Sequence, residues 1–176
     1  MLKKILIGLA VLIGACLLFA ATRPNHYTVS RSMTIKAPPD KLFAMVDSFP
    51  AWPLWSPYEK LDPNMKRTIG GAPSGVGATY AWSGNSSAGS GAMRIIQSQA
   101  PSVVEIQLDF TKPMEGHDTA TFTFTPKGDS TTVTWAIRGP NPYIAKLVTM
   151  FMSMDKMLGG QMMDGLMTMQ RVAEKP

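Results

Sequence analysis

The acid–base candidates in this chain are Tyr80, Glu105, Asp109, His117, Asp118 and Arg138. Such catalysis needs titratable groups held in a cleft at a tuned pKa. Glu105 and Asp109 fall on the polar parity of one expected strand, while His117 and Asp118 open another, so all four are expected in solvent. Tyr80 and Arg138 remain as the polar groups an enzyme would bury. No HExxH, GxSxG or paired Cys/His arrangement occurs. One cysteine and two histidines exclude an internal disulfide framework and leave almost no material for thiol catalysis, cysteine-based zinc or a histidine-rich metal site. The reading assigns no catalytic residue, no metal and no cofactor, and it favours binding over catalysis.

The soft ligands are more abundant. The chain has 14 methionines, and Met150, Met152, Met154, Met157, Met162, Met163, Met167 and Met169 crowd its last helical stretch. Thioethers suit Cu(I), but Met150, Met152 and Met154 do not share one helical face, and His26 and His117 lie in distant segments. Methionine also packs adaptably, which fits either a plain core or the wall of an apolar pocket.

The elements that must position these groups follow from periodicity. Residues 27–35 alternate as a first strand, with Tyr27, Val29, Met33 and Ile35 on one face. Ala37-Pro38-Pro39-Asp40 opens a short helix over 41–46 that buries Leu42, Phe43 and Val46. A glycine-rich loop over 70–77 leads to a strand over 78–82; with no lysine entering a helix, it is a shaped turn and not a phosphate cradle. Strands follow over 92–97, 103–110, 117–125 and 131–137, joined by short turns as an antiparallel meander. From Pro142 one long amphipathic helix is expected, with Ile144, Leu147, Val148, Phe151, Met154, Leu158, Met162, Gly165, Leu166 and Met169 recurring at three and four residues.

Charge and hydropathy bound the setting. The chain of 176 residues carries a formal charge of +5, to which Lys3 and Lys4 contribute two. Apart from Lys66-Arg67 the basic residues are scattered, so nucleic acid is not an expected partner. Residues 5–21 are uncharged and almost wholly apolar. We read 1–24 as an uncleaved signal anchor ahead of a single domain over 25–176, because cleavage after Ala20 or Ala21 would leave Leu18 or Phe19 where a small residue is needed. A cleaved signal, or a lipoprotein box at Ile13-Gly14-Ala15-Cys16, is the alternative. Positive-inside logic then puts the domain outside the cytoplasm of a bacterial inner membrane, facing the periplasm or the outer surface.

Between Phe49 and Pro63 the residues Pro50, Trp52, Pro53, Trp55, Pro57 and Tyr58 make a density of proline and aromatic rings that no ordinary helix or central strand tolerates. The string Phe49-Pro50-Ala51-Trp52-Pro53-Leu54-Trp55-Ser56-Pro57-Tyr58, with Asp62-Pro63-Asn64-Met65, resembles the signature of the SRPBCC, or START-like, superfamily in its polyketide cyclase/dehydrase branch. Gly75-Val76-Gly77-Ala78, Trp82-Ser83-Gly84-Asn85, Thr132-Val133-Thr134-Trp135 and Met154-Asp155-Lys156-Met157-Leu158-Gly159 extend the resemblance over residues 25–172.

The resemblance implies an α+β helix-grip fold, in which two short helices follow the first strand and a curved antiparallel sheet wraps a long C-terminal helix around an apolar cavity. The expected function is a membrane-anchored domain that binds a hydrophobic small molecule or lipid. Trp52, Trp55, Tyr80, Trp82, Phe122, Trp135, Met154 and Leu158 are the candidate lining, and packing in a solid core is the alternative for each. A cyclase-, dehydrase- or hydrolase-like enzyme using Tyr80 or Arg138, or an envelope partner-binding domain with a closed cavity, are the other readings.

Overall fold

A computed structural model describes residues 2–148 and 153–175. Its first element, α1 (Leu2–Thr22), is almost wholly exposed, and over Lys3–Thr22 it is long and apolar enough to cross a membrane, with a mean hydropathy of 2.7. Then come β1 (His26–Ile35), α2 (Pro39–Asp47), and two short 3-10 helices over Phe49–Leu54 and Pro57–Lys60. Six strands follow: β2 (Lys66–Gly71), β3 (Ala78–Ser83), β4 (Ser90–Gln99), β5 (Val103–Lys112), β6 (Gly116–Lys127) and β7 (Ser130–Pro140). They close on α3 (Tyr143–Val148) and α4 (Met154–Ala173).

The seven strands form one antiparallel sheet in the order β1-β7-β6-β5-β4-β3-β2. Alternation does the sorting: Val29, Val104, Ile106, Ala120, Phe122, Phe124, Val133, Trp135 and Ile137 are buried on the inner face against α2 and α4. This is the helix-grip architecture the sequence led us to expect.

Two elements differ from expectation. Gly70 and Gly71, read as loop, end β2, whose residues are all exposed; an edge strand with no buried face leaves no alternating signal. The long helix is also interrupted. Ser153 is extended (φ −73°, ψ 141°), and its hydroxyl accepts a hydrogen bond from the Lys156 amide at 3.2 Å, so it starts α4 afresh. Met150, Phe151 and Met152 lie outside the described residues. Within α4, Met162 and Met169 are fully buried, whereas Met157 and Met167 are largely exposed.

The proline and tryptophan segment has a definite structural task. A helix leaves its last carbonyls without intrahelical donors, and here two indoles supply them. Trp55 Nε1 donates to the Met45 carbonyl at 2.8 Å, and Trp52 Nε1 to the Val46 carbonyl at 3.0 Å, both buried at the end of α2. The prolines hold the turns that make this approach possible. On the far side, α4 comes so close to this segment that a Cβ on Gly165 would sit 2.9 Å from Pro57 and 3.0 Å from the Trp135 ring. A bidentate pair between Arg31 of β1 and Asp155, at 2.7 and 3.0 Å, fixes the start of α4.

Candidate functional site

The inner face of the sheet is not filled throughout. Between β3–β7, the 3-10 turns and the first half of α4 lies a cavity of about 420 Å³. Its walls are mainly apolar, with Met93, Leu108, Phe110, Ala120, Ile137, Met157 and Leu158 among them. A pocket of this size and character takes one small apolar molecule.

Five of the eight candidate residues line it: Trp52, Tyr80, Trp82, Trp135 and Leu158. Trp55, Phe122 and Met154 are not in its wall. The first two belong to the core behind it: Phe122 stacks on Trp135 at 4.9 Å between ring centroids, and Trp55 meets Phe122 edge-on at 5.9 Å. Met154 is the first residue of α4 and is displaced by Met157, one turn further on.

Two carboxyl groups interrupt the apolar lining. Glu59, whose side chain is only 7% exposed, accepts from Tyr80 Oη at 2.6 Å and from Arg67 Nε, which neutralises its charge. Burial first, and then this hydrogen bond, raises the Tyr80 pKa well above the usual phenol range, so Tyr80 is a fixed donor to Glu59. Asp118 is the second. Its Oδ2 accepts from Tyr27 Oη at 2.6 Å, and burial raises its pKa above the ordinary carboxyl value against the opposing effect of that hydrogen bond. The carboxyl lies so close over Gly139 that a Cβ there would stand 1.9 Å from it. Tyr58, also in the wall, is pushed up to about 12 by burial.

Asp118 corrects the expectation that it faces solvent. It shares strand parity with Ala120 and Phe122, so it turns inward, while His117 turns outward and binds Asp109 through Nδ1 at 2.6 Å. Glu105, His117 and Arg138 come together with His26, Thr119 and Thr121 around an open hollow of about 440 Å³ on the outer face. Of the polar groups considered for catalysis, Arg138 is thus outside and Tyr80 inside. Glu59 was missed altogether. Its signal was a single acid inside an otherwise apolar and aromatic run, Ser56-Pro57-Tyr58-Glu59.

With fold and cavity in view, comparison with known proteins becomes informative. The family model for polyketide cyclase / dehydrase and lipid transport proteins matches residues 26–174. The chain belongs to this family. Its fold is similar to that of protein CV1439 from Chromobacterium violaceum, at 14% identity and a TM-score of 0.61, covering 88% of this chain and all of that one. Ginseng major latex-like protein 151 from Panax ginseng gives 13% identity and a TM-score of 0.60 over 86% of this chain and 100% of its own. The di-domain ARO/CYC protein BexL gives 12% and 0.64, with 90% of this chain matching 54% of BexL. Identities this low establish a shared fold only. Among curated protein sequences there is no significant match.

Proposed function

We propose that this member of the family is a membrane-tethered binding domain that holds one apolar small molecule or lipid in the cavity between sheet and α4. The observation that carries this reading is the apolar cavity itself, since removing ligand surface from water supplies about 25 cal/mol per Å². The family's own description includes lipid transport. Strand order supports the tether. α1 enters the sheet at His26, which pairs with Pro140, and in an antiparallel sheet that end also carries the β3–β4 loop and the β5–β6 turn. Ser86 to Gly89 and Lys112-Pro113, from those two connections, rim the cavity. Tyr143 Oη of α3 donates to the Leu17 carbonyl of α1 at 2.7 Å, and Met114 and Ile144 are exposed at the same end. The rim and the tether therefore share one end, where an apolar ligand can pass between bilayer and cavity. Lys3 and Lys4 set the domain on the side of the membrane away from the cytoplasm.

The test is extraction of the full chain from membranes followed by mass spectrometry of bound small molecules. A stoichiometric apolar compound that is lost when Ala120→Trp fills the cavity is expected. No bound compound and no saturable binding of apolar probes would overturn the reading. Membrane association should also vanish on removal of residues 2–22.

A second reading, a cyclase- or dehydrase-like enzyme, is favoured by Asp118. Burial pushes the Asp118 pKa up, and a carboxyl shifted in that direction in the wall of an apolar cavity is suited to pass a proton to a substrate oxygen. Asp118→Asn would then keep ligand affinity and lose turnover, whereas a pure binding domain loses neither.

A further inference from the structure

The joint between α1 and the domain is held on several sides. Arg23-Pro24-Asn25 alone separates Thr22 from His26. The Asn25 carbonyl accepts from the Asn141 amide at 2.7 Å, the Pro24 carbonyl from Asn141 Nδ2 at 3.1 Å, and Asn25 Oδ1 from Lys146 Nζ at 2.7 Å. α3 then packs along the last turns of α1. Tyr143 Oη donates to the Leu17 carbonyl at 2.7 Å, and Ala20 is fully buried in a helix that is otherwise almost wholly exposed. At a rise of about 1.5 Å per residue, Leu17 stands about 7.5 Å back from Thr22 along the helix. Tyr143 is therefore level with residues that the apolar run of α1 carries below the membrane surface.

We infer that α3 and the β5–β6 turn form a second membrane contact, which docks on the boundary between headgroups and acyl chains beside α1 and seats the cavity rim on the bilayer. This rests on the reading of α1 as a membrane tether. The faces of α3 are sorted for it. Tyr143 and Ile144 are exposed, Ile144 at 76%, whereas Lys146 lies across the helix from Ile144 and is buried with its amine on Asn25. The charge thus turns inward and the apolar side chains outward, toward the apolar phase that α1 brings alongside. Strand register supplies the second point. Thr119 pairs with Arg138, so Gly116 falls level with Asn141, and Met114 stands two residues further out, about 7 Å at the rise of a strand. Met114 is 77% exposed, and Lys112-Pro113 of the same turn rim the cavity. Both points reach the depth at which interfacial segments bury their apolar face, and a tyrosine ring is favoured there. Lys112 and Glu115 flank Met114 with opposite charges, so the contact is apolar and a neutral bilayer suffices. Three side chains cannot hold a domain on a membrane by themselves; with α1 in place they set its orientation.

Quenching by nitroxide-bearing lipids tests the docking. In the full chain, Cys16→Ala removes the native thiol, and a fluorophore is attached at Met114→Cys, at Ile144→Cys or, on the turn at the opposite end of the sheet, at Lys127→Cys. Each protein is reconstituted into phosphatidylcholine vesicles that carry nitroxides just below the headgroups. The first two labels should be quenched and the third should not. Adding Ile144→Asp should release the Met114→Cys label from quenching, because a carboxylate does not enter the bilayer boundary, while the chain still floats with the vesicles and keeps its thermal midpoint. Sodium chloride at about 1 M, where the Debye length is about 3 Å, should leave the quenching unchanged. If the first two labels stay unquenched in a chain that floats with the vesicles, the docking is wrong and the tether stands. Quenching at Met114→Cys that survives Ile144→Asp overturns the part given to α3. Quenching that needs anionic lipid and disappears in salt overturns the apolar character of the contact. A chain that does not stay with the vesicles overturns both this inference and the tether on which it rests.

Discussion

The sheet carries a hollow on each face, of nearly equal volume: about 440 Å³ outside and about 420 Å³ inside. The outer one gathers Glu105, His117 and Arg138, three of the residue types that chemistry most often uses, yet it is open and solvated. The inner one is walled by methionine, leucine and aromatic rings, and its carboxyls Glu59 and Asp118 are part-buried and engaged by Tyr27, Tyr80 and Arg67. Residue type alone would choose the outer hollow. Desolvation chooses the inner one, because a charge or hydrogen bond there is less screened by water.

The contrast breaks first on stability. Trp135→Ala should cost about 3–5 kcal/mol by opening the stack with Phe122 and Trp55, whereas Arg138→Ala on the outer face should stay within about 0.5 kcal/mol. Urea denaturation of both measures this, and comparable costs would erase the distinction. Next in size is occupancy. Ala120→Trp, projecting into the cavity, should weaken binding of an apolar probe by more than about tenfold, while Thr119→Trp, one residue earlier and on the other face, should leave it unchanged.

The smaller effects lie in pH dependence, and they should have opposite signs. Burial raises the Asp118 pKa in the folded chain, so the folded state holds the proton longer than the unfolded one. The contribution of Asp118 to stability is therefore present at acid pH and is lost as pH rises from the ordinary carboxyl range through the raised value. Asp118→Asn should remove that fall and raise stability at neutral pH by at most about 1 kcal/mol, since the group is partly solvated. Asp109 behaves the other way. The hydrogen bond from His117 lowers its pKa, so its contribution is present above the ordinary carboxyl range and is lost as pH falls through the lowered value. Asp109→Asn should reduce stability at neutral pH by less than about 0.5 kcal/mol. Thermal midpoints across pH 3 to 8 test both, and slopes of the same sign would mean that burial does not separate the two carboxyls.

Much of this was legible in the chain. Strand parity put Glu105 and Asp109 outside and Trp135 inside, whereas Arg138, which the enzyme reading would bury, faces out. The same parity, applied to Asp118, already placed it beside Ala120 and Phe122; its charge and its position at a strand start argued for solvent and were outweighed by register. The fresh start of α4 was illegible from periodicity, because the apolar spacing runs on through Ser153, whose hydroxyl accepts from the Lys156 amide and caps the helix. β2 was hidden because an edge strand with both faces wet has no pattern to read.

By itself the sequence determined the order of strands and helices, through alternation and proline placement, and its resemblance to the SRPBCC superfamily implied the grip architecture. It also determined the apolar N-terminal helix. What only the tertiary structure decided is which inward residues meet a solid core and which meet a cavity. Trp55 and Phe122 are as apolar and as inward as Trp52 and Trp135, but lie behind the wall. Tertiary structure also decided which polar atoms lack partners among the described residues: three indoles reach a carbonyl and Trp135 does not. Both outcomes depend on the gap between two packed layers, a distance set jointly by sheet curvature, the close approach at Gly165 and the tie between Arg31 and Asp155, and no local spacing along the chain encodes it.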